Sequence, residues 1–293
     1  MNRSSSSVWV RGIADMFASQ GLDVPRLFAD AQLDIALLDD LDARIPVDSI
    51  THLWELALTR SGNPALGVDR ELSIKYMKLD AVGYAMLACA TLNDSLALLS
   101  SYFRLVSDAM VFTLERDGPN VWLVQERVGH TRPLMSQQLG YSLLSMLTLC
   151  RWLTRTQMLP LQVQFGFPQP VAAPAYGQAF GCPAHFGQSA CRMLISGEHM
   201  ALPLPSHSPA HLELHRHVLD TRLGALSGHA GISRRVTEEI IRLLHMGAPR
   251  RADIASVLAM TDRTLQRRLS SEQTSFQQLL ESARLELARK YLA

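Results

Sequence analysis

No stretch of this sequence is long and apolar enough to suggest a membrane span. The longest candidates, residues 81–92 and 143–150, are interrupted by polar residues and fall short of the roughly 18–20 apolar residues that a bilayer requires. The amino terminus offers no signal-peptide core either: residues 1–7 are Ser-rich with one Arg, and Arg11 and Asp15 interrupt the more apolar residues after them. The four cysteines, Cys89, Cys150, Cys182 and Cys191, include no CxxC pair, so buried or free thiols in a reducing cytoplasm are expected rather than a disulfide framework. Phosphate loops of the GxGxxG and GxxxxGKS/T kinds are missing, and Ser189 in GQSAC lacks the GxSxG elbow. No residue makes a persuasive nucleophile or general base, so no enzyme is expected. Charge of one sign is lacking as well: 28 Lys+Arg face 27 Asp+Glu, a net +1. That balance excludes a uniformly basic nucleic-acid coat and a strongly acidic tail. With 47% hydrophobic and 19% charged residues, the chain also lacks the signature of disorder.

What is present falls into two parts. Residues 8–20 read as an amphipathic helix stopped at Gly21, Val24-Pro25 opens a short helix, and Asp48 is the expected N-cap of a helix ending near Gly62. Residues 81–90 and 92–107 form an expected helical pair, with Leu96, Leu99, Phe103 and Val106 on one stripe. The period then shortens: 110–128 reads as a β-hairpin turning at Asp117-Gly118-Pro119-Asn120. A buried helix over 134–157 and a strand carrying Leu161, Val163, Phe165 and Phe167 follow. In the Gly- and Pro-rich span 171–205 only short strands near 185–186 and 192–195 are expected, and Ser208-Pro209 opens a helix to about Leu226. Residues 4–7 read as a low-complexity Ser tract. The expected organisation is an α+β domain over 1–225, a linker over 226–233, and an all-α module over 234–293. Charge changes sign with it: from Gly231 onward 11 Lys+Arg face 7 Asp+Glu, leaving 17 against 20 before. A basic module behind a mildly acidic domain suits a chain of which one part meets phosphate.

Residues 236–270 hold the strongest motif. A helix over 236–244 is broken by Gly247-Ala248-Pro249; helices over 251–259 and 261–270 then follow across a tight turn. Ile254 and Leu258 are apolar, Ala255 is small where the helices cross, Met260 fills the turn, and Leu265 and Leu269 point inward. This fits a helix-turn-helix, whose crossing at about 90–120° brings backbones close. Thr261 is the expected N-cap of the last helix. The opposite side presents Arg263, Gln266 and Arg267, residue types that hydrogen-bond guanine and adenine in the major groove. Arg250, Arg251 and Arg268 are expected phosphate contacts or solvated charges. A solvated helical hairpin with incidental arginines is the plain alternative.

The run TLQRRL, a short gap, TSFQQLL and then ARLELARKYL resembles the first helix-turn-helix and connecting helix of AraC/XylS-family transcription regulators. Thr274-Ser275-Phe276-Gln277 reads as a capping box, and Phe276, Leu280, Ala283, Leu287 and Tyr291 make one apolar stripe. Upstream, DAVGYAMLACATLNDSLALLSSYFRLVSDA, FGFPQP and YGQAFGCPAHFGQ resemble the arabinose-binding-type regulatory domain of one branch of that family. The resemblance spans nearly the whole chain. It implies an α+β amino-terminal regulatory domain followed by an all-α helix-turn-helix module, a double-stranded promoter DNA partner, a small-molecule effector of unknown identity, and a homodimer formed through the amino-terminal domain. Two departures stand out: Ala259 occupies a turn position usually filled by Gly, and only 63 residues follow Ala230, too few for the family's second helix-turn-helix. A truncated module is therefore expected, with a ligand-sensing or dimerising protein carrying an inactive DNA module as the alternative function.

Other constellations carry less. His207, His211, His215 and His217 crowd together, and His211 and His215 share a helical face, but no Cys or paired carboxylate completes a metal set. Trp54, Tyr84, Tyr102, Phe103, Phe165 and Phe167 could line a cavity or simply fill the core. Arg104 and Asp108 are an expected surface pair. Neither a metal nor an organic cofactor is expected, the location is expected to be cytoplasmic, and no residue can be assigned to the effector.

Overall fold

A computed structural model describes residues 3–68, 80–129, 132–229, 232–244, 249–258, 260–272 and 274–292. The chain divides into two compact units, Met1–Asp220 and Thr221–Ala293.

The first unit opens with a strand, β1 (Ser4–Ser6), that pairs antiparallel with β2 (Arg44–Pro46). The Ser tract is therefore a buried structural element rather than a low-complexity run. Its short side chains bring the backbone close to its neighbours, and the polar groups are used. Ser5 Oγ donates to Ser107 Oγ (2.9 Å), Ser4 N–H to Asp108 Oδ1 (2.7 Å), and Ser7 Oγ to the Asp40 carbonyl (2.5 Å). Asp108 is consequently buried and not at the surface, with an Arg44 nitrogen 3.9 Å away.

Around this ribbon lie α1 (Ser7–Ser19), α2 (Val24–Asp30) and α3 (Val47–Ser61). α1 ends before Gly21 at φ +76°, α2 is capped by Asp23, and α3 ends at left-handed Gly62. Asp48 lies inside the first turn of α3 instead of capping it, because β2 delivers the backbone through Pro46 at the cap position. Asp48 Oδ1 accepts the Arg132 N–H at 3.0 Å.

α4 (Ala81–Leu87), capped by Asp80, and α5 (Leu92–Val106), capped by Thr91, form the expected pair, with Leu96, Leu99 and Phe103 buried. The hairpin of β3 (Met110–Asp117) and β4 (Asn120–Arg127) turns through Gly118-Pro119, where Gly118 has φ +59°. α6 (Ser136–Thr154) follows and ends at left-handed Arg155. Then come β5 (Gln162–Gln164), α7 (Ala173–Phe180), β6 (Ala184–His185), β7 (Cys191–Ile195), α8 (Gly197–Met200) and α9 (Pro209–His229). The sheet order is β3-β4-β7-β5-β6, antiparallel except for the β5–β6 pair.

β5 is shorter than its alternation suggests. Phe165 and Phe167 lie beyond it and pack with Tyr176 and Phe180 of α7 and with Phe186. α9 continues through residues 226–229 of the expected linker, and the division between units falls inside it.

Two apolar clusters fill this unit. One joins α4, α5, α6, α7 and the inner sheet face; the other joins α1, α2 and α3 with Tyr141. The cysteines are free thiols, with Cys89, Cys150 and Cys191 buried and Cys182 half-buried. Burial pushes Cys89 and Cys182 up to about 11 and Cys150 to about 12.

The second unit comprises α10 (Ile232–Leu244), α11 (Arg251–Val257), α12 (Asp262–Ser271) and α13 (Phe276–Leu292). It has its own core of Val236, Ile240, Ile254, Leu265, Leu269 and Ala283. The Glu272 carboxylate accepts the N–H groups of Ile232 and Ser233 and so satisfies the start of α10. Among the described residues, no helix is long and apolar enough to cross a membrane.

Candidate functional site

The helix-turn-helix comprises α11, α12 and the turn between them. Ile254 and Ala255 of α11 and Leu265 and Leu269 of α12 are buried against one another, and Leu258 and Met260 are half-buried beside them. The N–H of Met260 donates to the Ala255 carbonyl (2.9 Å), closing α11 into the turn. Thr261 caps α12 as expected, its Oγ1 accepting the Thr264 N–H at 3.2 Å. Ala259 and the break at Gly247-Ala248 lie outside the described residues. α13 begins with a capping box one residue later than the sequence suggests. Ser275 N–H donates to Gln278 Oε1 (2.9 Å) while Gln278 N–H donates to Ser275 Oγ (3.3 Å). Gln277 instead donates to Glu281 one turn on. Of the apolar stripe on α13, Leu280 and Ala283 are buried and Phe276 is half-buried. The side chains of Leu287 and Tyr291 lie outside the described residues.

With Leu265 and Leu269 turned inward, Arg263, Gln266 and Arg267 are all exposed on α12. None has a hydrogen-bond or ion-pair partner among the described residues. Arg268 and Arg250 are exposed nearby, and the Arg250 N–H donates to Asp253 Oδ2 (3.0 Å) at the start of α11. Arg251 behaves differently. Its Nε and Nη2 fork onto Asp262 Oδ1 and Oδ2, both at 2.6 Å, which ties the first turn of α11 to that of α12. The bidentate contact draws the Asp262 carboxyl below its ordinary value and raises Arg251.

The first unit holds a cavity of about 170 Å³ between its two apolar clusters. Trp9 and Ile13 of α1, Met86 of α4, Leu99 and Phe103 of α5 and Tyr141 of α6 contribute to its wall. Of the aromatics singled out in the sequence, Phe103 alone is among these lining residues. Trp54 instead packs edge-on to Phe17 with ring centroids 4.9 Å apart, and Tyr84 stacks on His215 at 6.0 Å. Tyr102 donates to Asp220 Oδ1 at 2.6 Å. Of the clustered histidines, His207 Nδ1 lies 3.2 Å from the Ala88 carbonyl.

Sequence reasoning missed Gln125. It lies on β4 two residues after Leu123, so strand alternation puts both on the inner sheet face. Gln125 is 3% exposed, borders the cavity, and leaves Oε1 without a partner among the described residues. A polar residue at a buried strand position was the readable signal.

Comparison with known proteins fits this geometry. The family described as "Arabinose-binding domain of AraC transcription regulator, N-term" matches residues 21–204. The ornithine utilization regulator of Pseudomonas aeruginosa is 25% identical over 288 residues, covering 97% of this chain and 84% of that protein. The HTH-type transcriptional regulator VirS of Mycobacterium tuberculosis is 28% identical over 208 residues, covering 70% of this chain and 60% of the relative. Among solved structures, the transcriptional regulator CdpR from Pseudomonas aeruginosa is similar with a TM-score of 0.48 and 18% identity, covering 92% of this chain and 84% of that one. The chain belongs to the AraC transcription regulators that carry this arabinose-binding type of amino-terminal domain.

Proposed function

We propose that α12 reads promoter DNA in the major groove through Arg263, Gln266 and Arg267, and that an effector seated in the cavity of the first unit changes the affinity for that DNA. The observation that carries the first half is the trio on the side of α12 away from Leu265 and Leu269, exposed and without partners among the described residues. Arg and Gln at this spacing offer bidentate donors and acceptors to base edges. Arg250 and Arg268 supply phosphate contacts, which add affinity without sequence information. Arg251, committed to Asp262, holds the two helices in register instead.

The second half is linkage: an effector changes DNA affinity only by binding the DNA-competent and incompetent states unequally. The cavity supports it by offering a mostly apolar space with a polar group left to satisfy. A homodimer joined through the first unit would present two such modules and raise affinity without any new contact. Action on promoter DNA puts the protein in the cytoplasm.

The test is selection of a preferred duplex from random sequence, followed by fluorescence anisotropy over a range of salt. Arg263→Ala, Gln266→Ala and Arg267→Ala should each weaken the selected site by about tenfold or more, consistent with about 1–3 kcal/mol per bidentate base contact, and leave non-specific DNA nearly unchanged. Arg268→Ala should weaken both and flatten the salt dependence by about one phosphate contact. Absence of any selected sequence, or an unchanged Arg267→Ala variant, overturns the assignment and favours the inactive-module alternative.

A further inference from the structure

Several polar groups on the cavity wall already have partners. Ser6 Oγ accepts the Trp9 N–H (3.2 Å), and Ser5 and Ser107 pair with each other. Asp80 Oδ1 accepts the N–H groups of Val82 (2.9 Å) and Gly83 (3.0 Å). Gln138 Oε1 accepts from Thr51 Oγ1 at 3.4 Å. Gln125 carries a buried amide oxygen that nothing pairs with among the described residues. It sits on β4 between Phe112 of β3 and Cys191 of β7. A buried amide oxygen in that state is unfavourable until something pairs with it, and a leucine of similar volume would avoid the penalty.

Given that the cavity is the effector site, we propose that the effector is an uncharged, largely apolar molecule carrying a hydroxyl that hydrogen-bonds to Gln125. A hydroxyl donates to Oε1 where that oxygen faces the cavity, and accepts from Nε2 where the amide is turned the other way. A sugar would bring several hydroxyls against a mostly apolar wall, and most would go unpaired. A carboxylate would want a cation, and the described lining residues include no Lys, Arg or His, while Asp80 is acidic. The volume of about 170 Å³ suits a body on the order of a benzene ring or a short alkyl chain.

Isothermal titration calorimetry on the full chain, with DNA affinity measured in parallel, decides the matter. The probes are 1-hexanol, sodium hexanoate, toluene and L-arabinose. We expect 1-hexanol to bind at least tenfold tighter than hexanoate, and arabinose to give no binding heat. Gln125→Leu should weaken hexanol about tenfold, the size of one buried hydrogen bond, while toluene stays within about twofold. The melting temperature of Gln125→Leu without ligand should equal or exceed that of the parent, which also establishes that the variant folds. A second variant, Leu139→Trp, narrows the cavity from a half-buried position and should abolish binding of both hexanol and toluene.

Hexanol affinity indifferent to Gln125→Leu overturns the proposal, as does tighter binding of hexanoate or arabinose, or binding by none of the probes. If hexanoate or arabinose binds and changes DNA affinity, the effector class falls and regulation through the cavity stands. If hexanol behaves as expected but DNA affinity does not move, the class stands and the regulatory role of the cavity falls.

Discussion

The forked contact between Arg251 and Asp262 holds together the first turns of the two helices that make up the helix-turn-helix. From the sequence alone Arg251 reads as a phosphate contact or a solvated charge. The pairing with Asp262 depends on how the tight turn folds back, which residue spacing does not reveal. Replacing Asp262 with Asn should lower the stability of the module at neutral pH, read from urea denaturation followed by circular dichroism. Because the folded carboxyl sits below the ordinary 3.8, its contribution is fully present above that value. The gap between parent and variant should therefore close only as pH falls below 3.8 and through the folded value. A gap that persists unchanged well below that range would assign the effect to shape rather than charge. Gln125 shows the same limit of legibility from the other side: strand alternation marks it as buried, but only the fold shows that nothing pairs with it.

At the scale of elements, the long periodic segments were readable, and several of the short ones were not. α1, α3, α5, α6 and the β3–β4 hairpin each repeat an apolar pattern over enough residues to declare their period. β1 and β2 have three residues each, too few to show any period, and β1 is written in serine. α7 hides in a Gly- and Pro-rich span, although Pro174 in its first turn and left-handed Gly181 at its end are ordinary helix boundaries. Two glycines now test the elements they sit in. A methyl group at Gly197, where α8 begins, would lie 2.2 Å from the Pro119 carbonyl oxygen in the β3–β4 turn. Gly197→Ala should therefore cost roughly 1–3 kcal/mol in thermal or urea denaturation. At Gly224 in α9 the added carbon meets nothing within 4 Å, and Gly224→Ala should stabilise by about 0.5–1 kcal/mol, the helical preference of Ala over Gly. A position outside a formed helix would show no such gain.

Across the whole molecule, family and division of labour were legible, and the effector was not. The sign change in charge and the TLQRRL–TSFQQLL run are local in sequence, so they survive without coordinates. The cavity wall is assembled from α1, α4, α5, β4 and α6, segments that no spacing rule connects. The distribution of sulfur gives a further expectation. All four cysteines fall in the first unit, three buried and with thiols held protonated by burial. Under native conditions a thiol reagent such as DTNB should react slowly, Cys182 first, and full reactivity should appear only at the denaturant concentration that unfolds this unit. Rapid titration of four thiols in buffer would contradict such packing.

The second unit contains no cysteine. One cysteine introduced at Ser270, exposed near the end of α12, would stand alone against a quiet background. A fluorophore attached there would report from α12, the helix proposed to read DNA, with no need to remove a native residue first.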